Sequence, residues 1–447
     1  MSAPRLSRRD WLKLTTTGAL AGCASGWFEN LANAAAANPR RRKSCILLWM
    51  NGGPSTIDLF DLKVGHANGG PYQEIATSAP GLKVGEHLPT VAKFGDKMAV
   101  IRSMTTREAD HGRATFVMRT GYNPTGPIQY PTLGSLVSKE LGNEESALPN
   151  FVAVAPYRFF SPGAFSSGFL GPRYAPLVVG DNAQFFNPRD GLDYSAALKV
   201  QDIDLPRDVD EGHAGARLGM LDEMEKEFIA RHPGVSAVSH KTAYDRAVKL
   251  MRTDARKAFN LEEEKDSVRD AYGRNLFGQG CLLARRLIER GVPFVEVTHA
   301  GNNNQGFGWD THQNNFDLVK QNCSTLDPAW GMLMSDLKER GLLDDTLIVW
   351  MGEFGRTPRI NPGRGRDHWP NSWATVLTGG GIKGGQAYGK TSKDGMTVEE
   401  HPTTVPDLLA TVMQALGIDP EKQNNSNVGR PIRIVDKPGK PIREIVG

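Results

Sequence analysis

Cysteine is scarce in this sequence: four residues among 447, at positions 23, 45, 281 and 323, with no C-x-x-C pair. That spacing excludes a thiolate zinc site and a disulfide-stapled scaffold; Cys45, Cys281 and Cys323 read as small buried apolar residues that form at most one bridge. Long apolar runs are missing too, and with 39% hydrophobic and 23% charged residues the composition is globular. Collagen-like, disordered and multispanning membrane classes are thereby excluded. Net charge is small as well, 53 Lys and Arg against 50 Asp and Glu, and eight of those bases with only two of the acids fall in residues 1–43. The body therefore carries 45 bases against 48 acids, a formal −3, which argues against a nucleic-acid partner whose phosphates must be neutralised.

What is present begins with the leader. Ser7-Arg8-Arg9-Asp10-Trp11-Leu12-Lys13 has the twin-arginine pattern, and the weakly apolar stretch 14–24 after it is too short and too rich in Thr and Gly to span a bilayer. Residues 1–43 are expected to be an export signal and basic linker, handing a folded product to the twin-arginine machinery for a periplasmic or extracellular life. Two exits compete. Leu20-Ala21-Gly22-Cys23 looks like a lipobox, which would acylate Cys23 and tether the product, each buried CH₂ adding about 0.8 kcal/mol. Ala32-Asn33-Ala34 suits ordinary signal peptidase, and the long Ala run favours this soluble release.

Short apolar runs at 45–50, 98–101, 151–155, 292–297, 347–351 and 375–377 read as buried strands. Between them, 132–141, 216–231, 241–264, 268–290, 316–340 and 404–416 carry apolar residues at helical spacing with charges opposite. The alternation predicts an α/β protein with a mostly parallel central sheet and helices on both faces. One domain is expected over 44–436, with a loop-rich insertion near 157–215, two long charged helices from 216 to about 290, and a tail at 437–447.

In open parallel sheets ligands bind beyond the carboxyl ends of the strands. Four such places hold polar residues: the Gly-rich turn Asn51-Gly52-Gly53-Pro54-Ser55-Thr56-Ile57-Asp58; His299 followed by Trp309-Asp310-Thr311-His312; Gly352-Glu353-Phe354-Gly355-Arg356-Thr357-Pro358; and Gly365-Arg366-Asp367-His368-Trp369-Pro370. Carboxylate and imidazole donors on separate loops suit a divalent cation, Zn, Mn, Ca or Mg, so Asp310, His312, Glu353, Asp367 and His368 are candidate ligands. Arg113 and Arg356 are candidate clamps for an oxyanion, since guanidinium donates in a bidentate fork. Blander roles compete for each: Glu353 as the ion-pair partner of Arg356, His299 as a buried hydrogen-bonding residue, Asp367 as a turn cap, the two arginines in structural ion pairs, Ser55 or Thr56 as turn residues. The string Gly384-Gly385-Gln386-Ala387-Tyr388-Gly389-Lys390-Thr391 matches a phosphate-binding loop formally, but no helical pattern follows it, and it is set aside.

Taken together, the leader, the turn Asn51-Gly52-Gly53-Pro54-Ser55, the Trp309-Asp310-Thr311-His312 element and the last two loops resemble the domain of unknown function 1501 family, sulfatase-like members of the alkaline phosphatase superfamily. The resemblance implies an alkaline phosphatase-like fold with one or two metals at the sheet's carboxyl end and transfer of phosphoryl or sulfuryl groups through a Ser, Thr or formylglycine nucleophile. Carried over, Asp310 and His312 are similar to the Asp and His of one metal site and His368 to its later His, while Glu353 falls where the second site has an Asp-His pair. Departures are also plain. Asn51 stands where a metal-binding Asp is usual and Phe354 where a His is usual; His111, in a segment similar to the nucleophile helix, occupies roughly the nucleophile's place, and no C-x-P-x-R or S-x-P-x-R string occurs.

The expectation is an exported, metal-dependent hydrolase of phosphate or sulfate esters, with sulfated or phosphorylated carbohydrate as a candidate substrate and His111, Arg113 and Arg356 as catalytic residues. Hydrolysis without a covalent step, or through a His nucleophile, would accommodate the missing hydroxyl. The rival is a catalytically inactive relative that binds an anionic glycan or a protein partner in the cell envelope.

Overall fold

The computed structural model describes residues 43–124, 126–181, 194–232, 235–301 and 307–447. Residues 1–42, which hold nearly all of the segment expected to be an export signal and include Cys23, lie outside the described residues. Nine strands build one sheet: β1 Ser44–Met50, β2 Met98–Thr105, β3 Phe151–Val154, β4 Leu177–Val179, β5 Phe294–His299, β6 Thr346–Met351, β7 Trp373–Gly379, β8 Gln386–Tyr388 and β9 Thr403–Thr404. Their order is β8-β2-β7-β6-β1-β5-β3-β4, with β9 alongside β2. Every pairing is parallel except those of β7, which runs antiparallel to β2 and β6.

β1 shows why a continuous apolar run becomes the central strand. All seven residues are buried, with Cys45, Leu47 and Trp49 in one core cluster and Ile46, Leu48 and Met50 in the other. Alternate side chains leave opposite faces of a strand, so both faces must be covered. One face packs on α6 (Leu276–Glu289) and α7 (Asn315–Glu339); the other on α2 (Leu133–Leu141) and α8 (Val405–Ala415). Full burial of a large apolar side chain contributes about 1.5–3 kcal/mol, which explains why these runs fix the sheet.

Several boundaries differ from expectation. The run 268–290 is two helices, α5 (Asp266–Tyr272) and α6, because Gly273 adopts φ +90° and Asn275 caps the second by accepting from the Gly278 amide. Likewise 241–264 is helical only to Arg252 at the end of α4 (Val235–Arg252), then continues in short 3-10 turns; α4 is preceded by α3 (Glu211–Arg231). Within 157–215, where a loop-rich insertion is expected, the described residues supply β4. The segment 437–447 is no separate tail, since Ile442 and Ile445 are buried in the core and Val446 bridges to Ile382. Cys45, Cys281 and Cys323 are buried and unbridged. Lys390 and Thr391, which end the phosphate-loop-like string, form a short strand instead of opening a helix. Among the described residues no helix is long and apolar enough to cross a membrane.

Candidate metal centre

Parallel register levels the strand ends. Met50 pairs with His299, and Trp49 with Met351, so the loops after β1, β5 and β6 leave the sheet at one rim. After β1 the chain turns through Gly52 (φ +113°), where a Cβ would lie 2.5 Å from the Asp310 amide nitrogen. That close approach needs glycine. The Asn51 carbonyl accepts from the Trp309 amide at 3.3 Å, and the buried Trp309 indole donates to His299 Nδ1 at 2.8 Å. Asp310 is thereby held over the rim. From the fourth loop, a two-residue ribbon pairs His368 with Arg356. α1 (His111–Thr120) enters from the side, capped by Asp110, whose side chain accepts from the Arg113 amide.

Asp310 Oδ1 is the hub. His312 Nε2 lies 3.1 Å from it, His368 Nε2 3.3 Å and His111 Nε2 3.4 Å. Each imidazole is pinned through its other nitrogen: His111 Nδ1 to Glu353 Oε1 at 2.7 Å, His312 Nδ1 to Asp367 Oδ1 at 2.8 Å, and His368 Nδ1 to the Ala109 carbonyl at 2.7 Å. A carboxylate or carbonyl oxygen only accepts, so the three Nδ1 atoms carry hydrogen and the three Nε2 atoms are turned towards Asp310, where a ring without a second proton presents its lone pair. His312 Nε2 and His368 Nε2 are 3.0 Å apart. Two lone pairs at that separation repel unless a proton or a cation lies between them.

The donors fit a metal ion. His111, Asp310 and His368 offer ligand atoms within 4.8 Å of one another, and His312 adds a third imidazole in contact with Asp310 and His368. A tetrahedral Zn site with bonds near 2.0–2.1 Å has ligand atoms roughly 3.3 Å apart, close to the distances of the three rings from Asp310 Oδ1. Imidazole-rich sets suit Zn and its transition-metal neighbours better than Ca or Mg. Pinning of each ligand ring by an oxygen acceptor is the usual outer support of such centres.

Electrostatics agree. Burial alone would raise the Asp310 carboxyl, but His111, His368 and Arg356 outweigh it and hold the group far below the ordinary carboxylate range. Burial would lower His111, yet Asp310 and Glu353 on either side bring it up to about 9. His111 Nε2 and Glu353 Oε2 are buried without a hydrogen bond.

Not every candidate sits as expected. Asp367 touches His312 and Asn361 and supports a ring instead of joining the Nε2 cluster. Glu353 is fully buried, accepts from the Gly52 amide at 3.0 Å and orients His111. Arg356 is no free anion clamp: its guanidinium donates to the carbonyls of Gly52, Gly53 and Arg366 and to Asp310, so four of its five N–H donors hold the rim together. Arg113 forks onto Glu108 at 2.7 and 2.8 Å with its side chain 53% exposed, away from the imidazoles. Ser55 donates to Asp58 at 2.6 Å, and Thr56 Oγ1 accepts from the Ala374 amide, so both hydroxyls are tied into the turn. Asn51 Oδ1 accepts from the Trp49 indole at 3.1 Å. His299 ends β5 and is buried, and burial pushes its pKa down to about 3.

Sequence reasoning missed the ligand role open to His111, the Ala109 carbonyl and the aromatic ring of Phe160, which stacks on His111 at 5.1 Å and 11°. A main-chain acceptor leaves no mark in a sequence. Phe160 could have been suspected only from the aromatic density of 157–160.

A profile of the family described as "Protein of unknown function (DUF1501)" matches residues 42–446. No curated protein matches. Among solved structures the chain is similar to the PsFucS1 sulfatase from Pseudoalteromonas sp., at 13% identity over 88% of this chain and 70% of that one with TM-score 0.39. It is similar also to a protein in the alkaline phosphatase superfamily from Vibrio parahaemolyticus, at 13% identity over 85% and 67% with TM-score 0.40. A third is the C-terminal periplasmic domain of EcEptC from Escherichia coli in complex with Zn, at 9% identity over 85% and 83% with TM-score 0.37.

Proposed function

The chain belongs to the DUF1501 family, and on the geometry of its rim we propose that it is an exported, metal-dependent hydrolase of phosphate or sulfate esters. One observation carries the reading: three imidazoles, each with Nδ1 pinned, turn Nε2 towards a single buried-side carboxylate oxygen of Asp310. His111, Asp310, His312 and His368 would hold the cation. When bound, it supplies Lewis-acid polarisation of an ester oxygen.

The chain's own groups do the rest. Glu353, Asp367 and the Ala109 carbonyl keep the protons on Nδ1 and fix the ring planes. Arg356 offsets the charge of Asp310 from beneath. Phe354, against His111 and His368 at ring distances of 5.0 and 4.5 Å, keeps water from one side of the cluster. With Ser55 and Thr56 committed to the turn, the arrangement favours attack by water over a covalent step on a hydroxyl. A His111 nucleophile would need Nε2 to leave Asp310. Export rests on the leader alone, through the twin-arginine machinery, with Cys23 as the lipid anchor should the lipobox be used.

The test is metal analysis of the folded protein with an assay on aryl phosphates and sulfates. About one transition-metal ion per chain is expected, lost in His312→Ala together with turnover. A metal-free protein inert on both ester classes sinks the proposal. The second reading, an inactive relative binding an anionic glycan, is favoured by one feature: Phe354 brings an apolar ring against His111 and His368 where the resemblance implies a histidine. Glycan binding that survives chelation, without turnover, would select it.

A further inference from the structure

Beside the imidazoles, the first residues of the insertion form an aromatic ledge. Phe160 stacks on His111, and its ring meets Phe159 at 5.9 Å, Tyr157 at 5.4 Å and Phe307 at 5.4 Å. Tyr157 also touches Phe307 and Phe159 at 6.1 and 6.2 Å. The ledge is therefore one interlocked unit that starts on a cluster ring and ends in solvent. Its outer member, Phe159, is 77% exposed, the most exposed large apolar side chain among the described residues. Arg158, ion-paired with Asp181, adds polar groups next to it.

An exposed Phe gains little for folding where it stands, yet its two aromatic neighbours, Tyr157 and Phe160, hold it in place. A ligand laid across it would take that apolar surface out of water. Two ring contacts, of 5.1 and 5.9 Å, link His111 to Phe159, so a molecule engaged at the imidazoles reaches Phe159 only if it extends by about a ring beyond the reacting group. The negative face of an aromatic ring attracts the weakly positive C–H face of a saturated ring. Hydroxyl groups at the edge of such a ring can meet Arg158 and Asp181, a polar pairing that a hydrocarbon chain would waste.

We propose that Phe159, fixed by Tyr157 and Phe160, is a sugar-stacking subsite that accepts the pyranose next to the esterified one, making the substrate an oligosaccharide ester. This rests on the hydrolase reading for what happens at the imidazoles, but the subsite itself is a binding claim and can be tested without turnover.

The experiment is saturation-transfer NMR and affinity measurement with chondroitin- and carrageenan-derived sulfated disaccharides. Glycerol 1-phosphate serves as the ring-free control and 4-nitrophenyl phosphate as the aryl control. Transfer to pyranose C–H protons is expected. Phe159→Ala should lower the disaccharide-to-glycerol phosphate affinity ratio roughly three- to tenfold, with Phe159→Trp retaining it. Disaccharides that show no transfer, or an affinity ratio unmoved by Phe159→Ala, overturn the subsite. Phe159-dependent binding of 4-nitrophenyl phosphate alone overturns the sugar assignment in favour of an aryl ester. Phe159-dependent sugar binding without hydrolysis removes the hydrolase reading and leaves the subsite standing.

Discussion

Two buried carboxylates lie near the same rim, and they have opposite fates. Asp58 accepts from Ser55, from Asn315 at 2.8 Å and twice from Arg366 at 2.9 and 2.8 Å, so both of its oxygens are consumed. Both members of that ion pair have fully buried side chains. Asp310 is less enclosed, with its side chain 16% exposed, and gathers the Nε2 atoms of three imidazoles beside the Arg356 guanidinium. Burial and charge are alike in kind; what differs is whether lone pairs are left over. A closed network stabilises the turn, whereas an open one is prepared for a cation.

The contrast can be broken by substitution. Asp58→Asn leaves Arg366 buried without its counter-charge, and about 3–5 kcal/mol of stability should go, read by denaturant unfolding, while metal content stays at the wild-type level. Loss of metal in that variant would mean that the two networks are one. Asp367→Asn leaves all Nε2 donors in place and removes only the anionic acceptor behind His312; metal affinity should drop about 10–100-fold in a competition titration with a chelator. An unchanged affinity would make Asp367 a surface residue with no part in the centre.

A pH-dependent effect concerns a histidine on neither side of the contrast. His299 titrates near 6.5 in the unfolded chain, but burial holds it to about 3 in the fold. Below about pH 6.5 the unfolded state therefore binds a proton that the folded state refuses. The stability that neutral His299 contributes above that pH drains away as the pH falls towards 3. His299→Asn, which keeps an acceptor for Trp309, should flatten the melting temperature against pH across this window relative to wild type. An equally steep profile would assign the acid sensitivity elsewhere.

The long buried strands could be read from the sequence because a continuous apolar run has few places to go but the middle of a covered sheet. Short edge strands could not: Leu177–Val179, Gln386–Tyr388 and Thr403–Thr404 owe their state to partners far along the chain. At the site, the residue types Asp, His and Glu after strand ends were visible, but their division of labour was not. Glu353 and Asp367 look like ligands in a sequence because a carboxylate that binds an ion and one that binds an imidazole are the same letter. Arg113 and Arg356 misled for a related reason, since a guanidinium's fork is spent wherever the nearest oxygens lie, here on Glu108 and on the main chain of Gly52 and Gly53.

His368 is aimed by a peptide oxygen at Ala109, on a stretch whose Thr106 amide is itself tied to the Pro370 carbonyl at 2.9 Å. That fastening is indifferent to the side chain at 109 and sensitive to the length of chain around it. Residue swaps there should be silent, while adding or deleting a single amino acid between 106 and 110 would swing the imidazole off its bearing. In this molecule the spacing of a loop acts as a reagent.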